Sequence, residues 1–367
     1  MNPSSTPAAP ARLARLASRH PLRALTALTA LALGLQLAAC ASLPAPSAPS
    51  APAAGAPAFA KGADISWVTE MEAAQYVFRD RNGAPRDLFA ILKDQGMDAV
   101  RLRIWVDPQD GWNGIADTIA KARRAQAAGM RIMLDFHYSD SWADPQQQTK
   151  PAASAHLDAA GLADALAAHT RASLLALRAA GIAPEWVQVG NETRDGLLWP
   201  EGRASTNMAN YALFVKRGYG AVKDVFPQAQ VIVHVDNCHD NATFRWNFDG
   251  LAKHGAPFDV IGISSYPTTA KGHTWRSAVA ACTASMDDLV ARYGKPVMLT
   301  EVGAPWDDPE AGAIVSSLIA RARAVRNGPA LGVFYWEPEA YGWKNYGMGA
   351  FDQRGKPGPG MDAFLER

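Results

Sequence analysis

The sequence predicts a single (β/α)₈ barrel, the TIM-barrel fold, over residues 59–367. Eight short apolar runs alternate with longer stretches of helical pattern, which is typical of a parallel sheet with crossover helices. Several of these runs end in charged or polar residues, as expected where the strands of a barrel carry a site at their carboxyl ends. An open, doubly wound sheet is the alternative, but no GxGxxG or GxxxxGK[ST] nucleotide loop is present.

The predicted strands come in order along the chain, with no internal repeat and no second domain. Their ranges are Gly62–Trp67, Ala99–Trp105, Arg131–His137, Trp186–Asn191, Gln230–Val235, Val260–Tyr266, Val297–Glu301 and Gly332–Trp336. Between them, Ile115–Ala128 and Leu162–Ala180 have good helix-forming composition. Each is followed by a glycine, Gly129 or Gly181, where a left-handed residue ends a helix.

Residues 1–40 have the pattern of a lipoprotein-type signal peptide ending at Cys40. Four arginines between residues 12 and 23 precede the apolar run Leu25–Leu37, which is too short to span a bilayer comfortably. The run ends in Leu-Ala-Ala-Cys, which resembles the lipobox of bacterial lipoproteins and implies lipidation of Cys40. An ordinary signal peptide with a chance cysteine is the alternative. Ala41, rather than Asp, follows the cysteine and favours sorting to the outer membrane.

Residues 41–58 are almost entirely Ala, Pro and Ser, which indicates an extended linker before a catalytic domain at 59–367. We therefore expect an exported protein, either an outer-membrane lipoprotein or a periplasmic or extracellular one. It would contact the membrane only through its lipid anchor. In an oxidising compartment Cys238 and Cys282 can pair, but two unpaired core cysteines are equally compatible with the sequence.

The charge balance argues against a nucleic-acid partner, and the motif spacing argues against a helical zinc site. Lys and Arg total 36 and Asp and Glu total 35, so no basic excess indicates nucleic acid binding. Asp135, His137, Asp140 and Asp144 cluster in the sequence but lack the HExxH spacing of a helical zinc site. We predict no metal and no organic cofactor, and we expect a monomer.

Two glutamates at predicted strand ends have a direct chemical meaning. Glu192 follows strand four and Glu301 ends strand seven, on opposite sides of a barrel mouth. Glycosidic bond cleavage needs one protonated carboxyl for the leaving oxygen and one carboxylate for the anomeric centre. Burial and neighbouring charges must therefore separate the two pKa values. A separation of about 5–5.5 Å between the carboxyl groups is typical of a retaining, double-displacement mechanism.

Longer motifs resemble glycoside hydrolase family 53, the arabinogalactan endo-β-1,4-galactanases of clan A. The resemblance runs from about Lys61 to the C-terminus. Its motifs are Gly62–Trp67, Arg101–Arg103, Asp135–Asp140, Trp142–Pro145, Trp186–Thr193 and Leu198–Gly202. It implies that the chain hydrolyses β-1,4-galactan with retention of configuration. Glu192 would be the acid/base and Glu301 the nucleophile, and Asn191 would hydrogen-bond the sugar 2-hydroxyl.

The resemblance also implies four further substrate-site residues. Tyr266 would orient the nucleophile, His137 would bind sugar beside the acid/base, and Trp336 would form the floor of the cleaving subsite. Arg103 would lie near Glu301 and keep it ionised. Arg101, two residues earlier on the same face of the strand, would instead brace the barrel interior in an ion pair.

The same residues are compatible with other functions. Asp135 can be either the partner of His137 or a structural buried acid, and the role of Asp64 stays open. A clan A enzyme acting on β-mannan, xylan or β-glucan would carry an identical catalytic pair. A non-catalytic glycan-binding lipoprotein and a metal-dependent barrel hydrolase are more distant alternatives. Many tryptophans fall at strand ends or in the following loops, where indole faces can stack on sugars.

Overall fold

Eight parallel strands close into a barrel, each hydrogen-bonded to the next, in the computed structural model, which describes residues 58–365. The eighth strand pairs with the first, with Gly62 opposite Phe334. The strands are β1 Ala60–Asp64, β2 Ala99–Ile104, β3 Arg131–Phe136, β4 Trp186–Val189, β5 Gln230–Val235, β6 Val260–Ser265, β7 Val297–Val302 and β8 Ala330–Trp336. The predicted (β/α)₈ barrel is confirmed.

Helices cover the outside of the barrel. They are α1 Val68–Ala73, α2 Leu88–Asp94, α3 Ile115–Ala127, α4 Ala159–Ala179, α5 Ala204–Val225, α6 Asn241–Lys253, α7 Trp275–Tyr293, α8 Ala311–Arg323 and α9 Pro359–Asp362. Several begin at a side-chain cap, such as Asp158, which accepts a hydrogen bond from the Gly161 amide. Within residues 58–365, no helix is long and apolar enough to cross a membrane.

The lower half of the barrel interior is filled by apolar side chains, which seal it beneath the site. This cluster contains Ala60, Ala99, Met133, Trp186, Ile232, Val260, Met298, Leu331 and Phe334. Gly62 makes room for the Phe334 ring, because a Cβ at residue 62 would lie 2.3 Å from a ring carbon. Side chains two positions further along a strand point the same way. The next inward-facing residues toward the carboxyl end of each strand therefore lie between this cluster and the barrel mouth.

The strand boundaries differ from the predicted ones by up to three residues, mostly at the carboxyl ends. β1 ends at Asp64, because the chain then turns into α1. β4 ends at Val189, and Gly190 and Glu192 take positive φ angles of 86° and 44°. His137, Asn191 and Tyr266, which the sequence assigned to strand ends, therefore lie just beyond the strands, where the backbone can aim them into the mouth.

A bulge in β7 directs the second glutamate inward. Ile263 of β6 pairs with Leu299, but the next residue, Ser264, pairs with Glu301, so Thr300 is skipped. Met298 belongs to the interior cluster, and strict alternation would turn Glu301 to the outer face of the barrel. The bulge shifts this alternation by one residue, a common device next to active sites.

The two remaining cysteines form a disulfide. Cys238, in the loop after β5, is bonded to Cys282 of α7, 44 residues later, with the two Cα atoms 4.8 Å apart. Of the two alternatives left open by the sequence, the structure thus shows the paired one. The predicted signal peptide, Cys40 and residues 41–57 of the predicted linker lie outside the described residues.

Candidate active site

A cleft of about 250 Å³ opens at the carboxyl ends of the strands. Its lining residues are His137, Trp142, Ala143, Asp144, Asn191, Glu192, Tyr266, Glu301 and Trp336. Six of the seven predicted catalytic and substrate-binding residues are in this set, so the barrel brings them together. Arg103 is the exception. The cleft is walled by aromatic rings and floored by charged groups, a combination typical of sugar-binding sites.

Arg101 is the centre of the charged floor. Its Nη1 donates to Glu301 Oε1 at 2.7 Å and to Asp64 Oδ2 at 2.9 Å. Its Nη2 donates to Asp135 Oδ2 and Asn191 Oδ1, both at 2.8 Å. Arg101 is fully buried, and although burial opposes its charge, the surrounding carboxylates raise its pKa. One permanent cation therefore holds three carboxylates and the amide beside the acid/base candidate.

The prediction that Arg103 keeps Glu301 ionised is wrong, because Arg101 contacts that carboxylate. Arg103 Nη1 instead donates to Glu337 Oε1 at 2.6 Å. Two residues span about 6–7 Å along a strand, close to the reach of an arginine side chain. Arg101 starts deeper in the barrel and extends upward to the level of Glu301. The role predicted for Arg101, as an ion-pair brace of the barrel interior, is confirmed, and its contact with Glu301 is additional.

Arg103 lies in a cage of tryptophan rings. Its guanidinium carbon is 4.3 Å from the ring centroid of Trp142, 5.3 Å from that of Trp67 and 5.5 Å from that of Trp105. Cations at such distances are attracted by the ring quadrupole. Trp142 lines the cleft, so the Arg103–Glu337 pair supports the aromatic wall from behind.

Glu301 is held by two donors. Besides Arg101, the Tyr266 hydroxyl donates to its Oε2 at 3.1 Å. Burial raises the pKa of Glu301 to about 7, against the lowering effect of Arg101. Burial and the Glu301 charge raise the pKa of Tyr266 well above its usual value, so its hydroxyl stays protonated and donates. The predicted contact between Tyr266 and the nucleophile candidate is confirmed.

Glu192 lies across the cleft in a different environment. One oxygen of each of the two glutamates and a ring nitrogen of His234 all lie within 4.8 Å of one another. No arginine within residues 58–365 pairs with Glu192, and its Oε1 accepts a hydrogen bond from Ser264 at 2.6 Å. Burial and the charge of Glu301 raise its pKa well above the usual range. Glu301 therefore ionises first, and Glu192 keeps its proton.

His137 uses both ring nitrogens within the protein. Nδ1 accepts from the Ala143 amide at 3.0 Å and faces the Trp105 indole nitrogen at 3.3 Å. Since Nδ1 is an acceptor, Nε2 carries the hydrogen and donates to Asp135 at 3.0 Å. Asp135 is thus the partner of His137 and also of Arg101. His137 can meet a sugar only through its ring, because neither nitrogen is free.

Asn191 and Trp336 keep surfaces available to a ligand. Asn191 Nδ2 gives one hydrogen to the Ala143 carbonyl at 2.8 Å, which leaves its second hydrogen for the cleft. Trp336 is half-buried and packs edge-on against Trp67, with ring centroids 5.1 Å apart. Tyr346 packs against its other side at 4.6 Å. The Trp336 ring is therefore fixed in position while part of it faces the cleft.

Among the described residues, one group of three side chains has the spacing of possible metal ligands: Glu192, His234 and Glu301. Two of them are the paired glutamates of the cleft. The nitrogens of His234 already contact Ser264 at 2.7 Å and Gln188 at 2.9 Å. The predicted loop cluster Asp135, His137, Asp140 and Asp144 is not such a group.

Four site residues were not identified from the sequence: Gln188, His234, Ser264 and Glu337. Gln188 and His234 lie inside the predicted apolar runs of strands four and five. Their polarity was the available signal, because a lone polar residue in a buried strand needs a partner. Ser264 is on β6, two residues before Tyr266, which follows the end of that strand. Glu337 directly follows Trp336 at the end of β8, and the sequence does not reveal its partner.

Comparisons with known proteins agree with this geometry. The sequence model of glycosyl hydrolase family 53 matches residues 60–362. An arabinogalactan endo-β-1,4-galactanase of Humicola insolens is 34% identical over 302 residues, covering 76% of this chain and 89% of that protein. One from Cellvibrio japonicus is 33% identical over 76% of this chain and 80% of that protein. A solved fungal β-1,4-galactanase superposes with a TM-score of 0.77 at 30% identity, covering 85% of this chain and 100% of the other.

Proposed function

The chain belongs to glycosyl hydrolase family 53, and from this we propose that it is an endo-β-1,4-galactanase that acts on β-1,4-galactan and type I arabinogalactan. The observation that carries the proposal is the pair Glu192 and Glu301, which face each other across a cleft with opposite hydrogen-bond environments. The arabinogalactanase names of its relatives supply the substrate class. No cofactor takes part in the proposed chemistry.

In the first step, the Glu301 carboxylate attacks the anomeric carbon, and Glu192 transfers its proton to the leaving glycosidic oxygen. The C–O bond to the leaving sugar breaks, and a galactosyl ester of Glu301 forms. Arg101 and Tyr266 donate to the two oxygens of Glu301 and thereby orient it. They also stabilise its charge when it leaves again. The free Asn191 hydrogen would contact the sugar 2-hydroxyl, an interaction that strengthens in the transition state.

In the second step, Glu192 is a carboxylate and accepts a proton from water. The water oxygen attacks the anomeric carbon, the ester bond breaks, and Glu301 returns to its ionised state. Two inversions give net retention. The distance within 4.8 Å between oxygens of the two glutamates supports this mechanism, because inverting enzymes keep their carboxyl groups roughly 6.5–9.5 Å apart to admit a water molecule.

A second cavity beside the cleft supports action within a chain. Trp105, Trp112, Asp110, Asp140 and Lys344 are among its lining residues. Trp105 packs edge-on against Trp142 of the catalytic cleft, with ring centroids 5.3 Å apart. The two cavities therefore share an aromatic partition. An extended glycan that crosses it would contact protein well beyond the cleaved bond, as an endo-acting enzyme requires.

The proposal is tested by reducing-sugar release from unsubstituted β-1,4-galactan, with β-mannan, xylan and carboxymethylcellulose beside it. The catalytic domain, residues 59–367, is compared with its Glu301→Gln variant. We expect release from galactan and its loss in the variant. Cleavage of another polymer instead would keep the mechanism and refute the substrate. No cleavage of any polymer would favour a glycan-binding protein.

We further propose that the protein is exported and anchored to the outer membrane by a lipid on Cys40, with the catalytic domain as a monomer. The arginine-rich and apolar segments and the Leu-Ala-Ala-Cys motif support the anchor. In a Gram-negative host, labelled palmitate should enter the full chain and not the Cys40→Ala variant, which should leave the membrane fraction. Equal labelling of both would refute lipidation.

The oligomeric state is tested by light scattering on the catalytic domain, which should give the molar mass of a single chain.

A further inference from the structure

A hydrogen-bonded chain leads from the acid/base candidate into the barrel. Ser264 Oγ lies 2.6 Å from Glu192 Oε1, and His234 Nε2 lies 2.7 Å from the same hydroxyl. His234 is fully buried and Ser264 is 1% exposed, so water does not substitute for either contact. No described residue donates to the other carboxyl oxygen, Glu192 Oε2, while Glu192 itself lines the cleft. Oε2 is therefore the oxygen that faces a substrate.

The direction of these hydrogen bonds follows from the groups around His234 Nδ1. Gln188 Nε2 lies 2.9 Å away and the Glu192 amide nitrogen 3.4 Å away, and both are donors. One acceptor, Asn191 Oδ1, lies at 3.0 Å, but two other donors already face it, Arg101 Nη2 at 2.8 Å and Gln188 Nε2 at 3.2 Å. Nδ1 therefore acts as the acceptor and Nε2 carries the ring hydrogen, which it donates to Ser264. The serine then has its own hydrogen to give to Glu192.

We propose that His234 and Ser264 are positioning residues that fix the acid proton of Glu192 on Oε2, the oxygen that faces the scissile bond. A hydroxyl that donates to Oε1 favours Oε1 as the carbonyl oxygen, which is the better acceptor of a neutral carboxyl group, and therefore favours the proton on Oε2. His234 imposes that direction on the serine by donating to its lone pair. This inference rests on the proposed function, since it assigns a role to residues behind the same acid/base.

Burial and the charge of Arg101 keep the His234 ring neutral against the opposing effect of Asp135, and the inference requires a neutral ring. Arg101 on β2 faces it together with Asp135 on β3 and His137 just after β3, and Glu192, in the loop after β4, and Glu301 on β7 lie within 4.8 Å of the same group of atoms. Asp236 follows the end of β5 directly. Burial lowers the pKa of His234 well below its usual value, and the positive charge of Arg101 lowers it further. A neutral imidazole has one N–H, and because donors face Nδ1 while the Ser264 hydroxyl faces Nε2, that hydrogen lies on Nε2.

The same bonds serve both halves of the reaction. When Glu192 has given up its proton, the Ser264 hydroxyl stabilises the carboxylate through the same contact. Donation to the charged form lowers the pKa of Glu192, against the larger raising effect of burial. The pair thus keeps Glu192 able to act as a base after it has acted as an acid, without moving any proton of its own.

The tautomer of His234 is tested directly by two-bond ¹H–¹⁵N NMR on the protein labelled at histidine nitrogens, with His234→Gln used for assignment. No substrate is needed, so this result is independent of the proposed function. We expect a neutral ring with hydrogen on Nε2 from pH 5 to 8. A neutral ring with hydrogen on Nδ1, or an imidazolium, would overturn the inference.

The catalytic consequence is tested with Ser264→Ala, on galactan or whichever β-glycan the wild-type enzyme hydrolyses. Loss of the donor should reduce kcat/KM on the polymer roughly 10- to 100-fold, a part of what general acid catalysis supplies. It should also move the alkaline limb of the pH profile to higher pH, because the pKa of Glu192 rises. A dinitrophenyl glycoside, whose leaving group needs no proton, should be cleaved within a few-fold of wild type.

Equal losses on both substrates, or an alkaline limb that does not move, would show a merely structural role and overturn the inference. A matched pair of histidine variants gives the second check. Glutamine places an N–H near the position of Nε2, whereas asparagine places one near Nδ1. His234→Gln should therefore retain more activity on the polymer than His234→Asn. The reverse order, or equal activity, would contradict a donor at Nε2.

Discussion

Arg101 Nη1 and Glu301 Oε1 lie 2.7 Å apart, although the two residues are separated by 200 positions in the sequence. The same guanidinium nitrogen also donates to Asp64, and the other one donates to Asp135. Charge on the proposed nucleophile is therefore coupled to the ion pairs that hold the barrel together. This relationship explains how a carboxylate that is 5% exposed can ionise before its partner, Glu192.

Replacing Arg101 with lysine should move the acid limb of the activity profile. Lysine keeps a positive charge but cannot donate to all three carboxylates, so Glu301 loses part of its stabilisation and its pKa rises. Because Glu301 must be ionised to act, activity should begin at a higher pH, by about one unit. The pH dependence of kcat/KM measures this shift.

Arg103→Lys is the matched control for this substitution. Arg103 contacts Glu337 rather than Glu301, and its guanidinium faces the tryptophan cage. We expect weaker substrate binding, seen as a higher KM, with the acid limb left in place. An unshifted limb in Arg101→Lys, or an equal shift in Arg103→Lys, would refute the assignment of Arg101 to the nucleophile.

Azide distinguishes the roles of the two glutamates. In Glu192→Ala, the Glu301 ester still forms from a dinitrophenyl galactoside but hydrolyses slowly, and azide should attack it to give the β-galactosyl azide. In Glu301→Ala, azide should replace the nucleophile and give the α-azide. Product configuration is read by NMR. The α-azide from Glu192→Ala would mean that the two roles are reversed.

Glu339 should make the wild-type protein less stable as the pH rises. It is fully buried, and burial, followed by the charge of Glu337, raises its pKa well above the usual value. The folded state therefore holds a proton that the unfolded chain releases above about pH 4.3. Stability falls from there up to the folded-state pKa, by about 1.4 kcal/mol per pH unit.

Glu339→Gln keeps the shape of the side chain and removes this titration. Urea unfolding is measured for both proteins at pH 5 and pH 8. The free energy of unfolding of the variant, relative to that of wild type, should be larger at pH 8 than at pH 5. Because both proteins are measured at both values, the pH 5 comparison serves as the internal reference. A difference that stays the same at the two pH values would mean that Glu339 is ionised in the folded protein.

The disulfide should contribute to stability without contributing to catalysis. Cys238 and Cys282 close a loop with a sequence separation of 44 residues, and neither lines the catalytic cleft. A disulfide that closes such a loop lowers the entropy of the unfolded chain, which stabilises the folded state by about 4 kcal/mol in the chain-entropy model. Replacing both cysteines with alanine should lower the urea midpoint and leave kcat at 25 °C near that of wild type.

A reductant provides the matched condition for this prediction. Wild-type protein unfolded in the presence of dithiothreitol should approach the midpoint of the double variant, and the double variant should not respond. If dithiothreitol leaves the wild-type midpoint unchanged, the two cysteines are not paired in the protein in solution.

Much of the fold could be predicted because barrel strands are buried on both faces. Such strands appear as apolar runs, and their polar ends stand out against that background. Glu192 and Glu301 were identified in this way, each at the end of a strand. The bulge at Thr300 could not be foreseen, since an extra residue leaves no mark on an apolar run. Without it, simple alternation would have turned Glu301 away from the site.

The partners of buried polar side chains were harder to predict. Arg101 and Arg103 share a face of β2, and the sequence does not reveal how far each side chain extends along the barrel. Height within the barrel decides which of them meets Glu301, and this depends on the stagger between strands. His234 and Ser264 belong to different strands, so their contact with each other and with Glu192 arises only when the barrel closes.

The configuration of the first product of galactan hydrolysis tests the central claim most directly. Proton NMR of unsubstituted β-1,4-galactan in deuterated buffer, recorded within the first minutes after adding wild-type enzyme, resolves the two anomers of the new reducing ends. Double displacement through Glu301 predicts that the β-anomer signal grows first and that the α-anomer appears later by mutarotation. An α-anomer that grows first would contradict a covalent intermediate on Glu301, and the absence of new reducing ends would contradict galactan as the substrate.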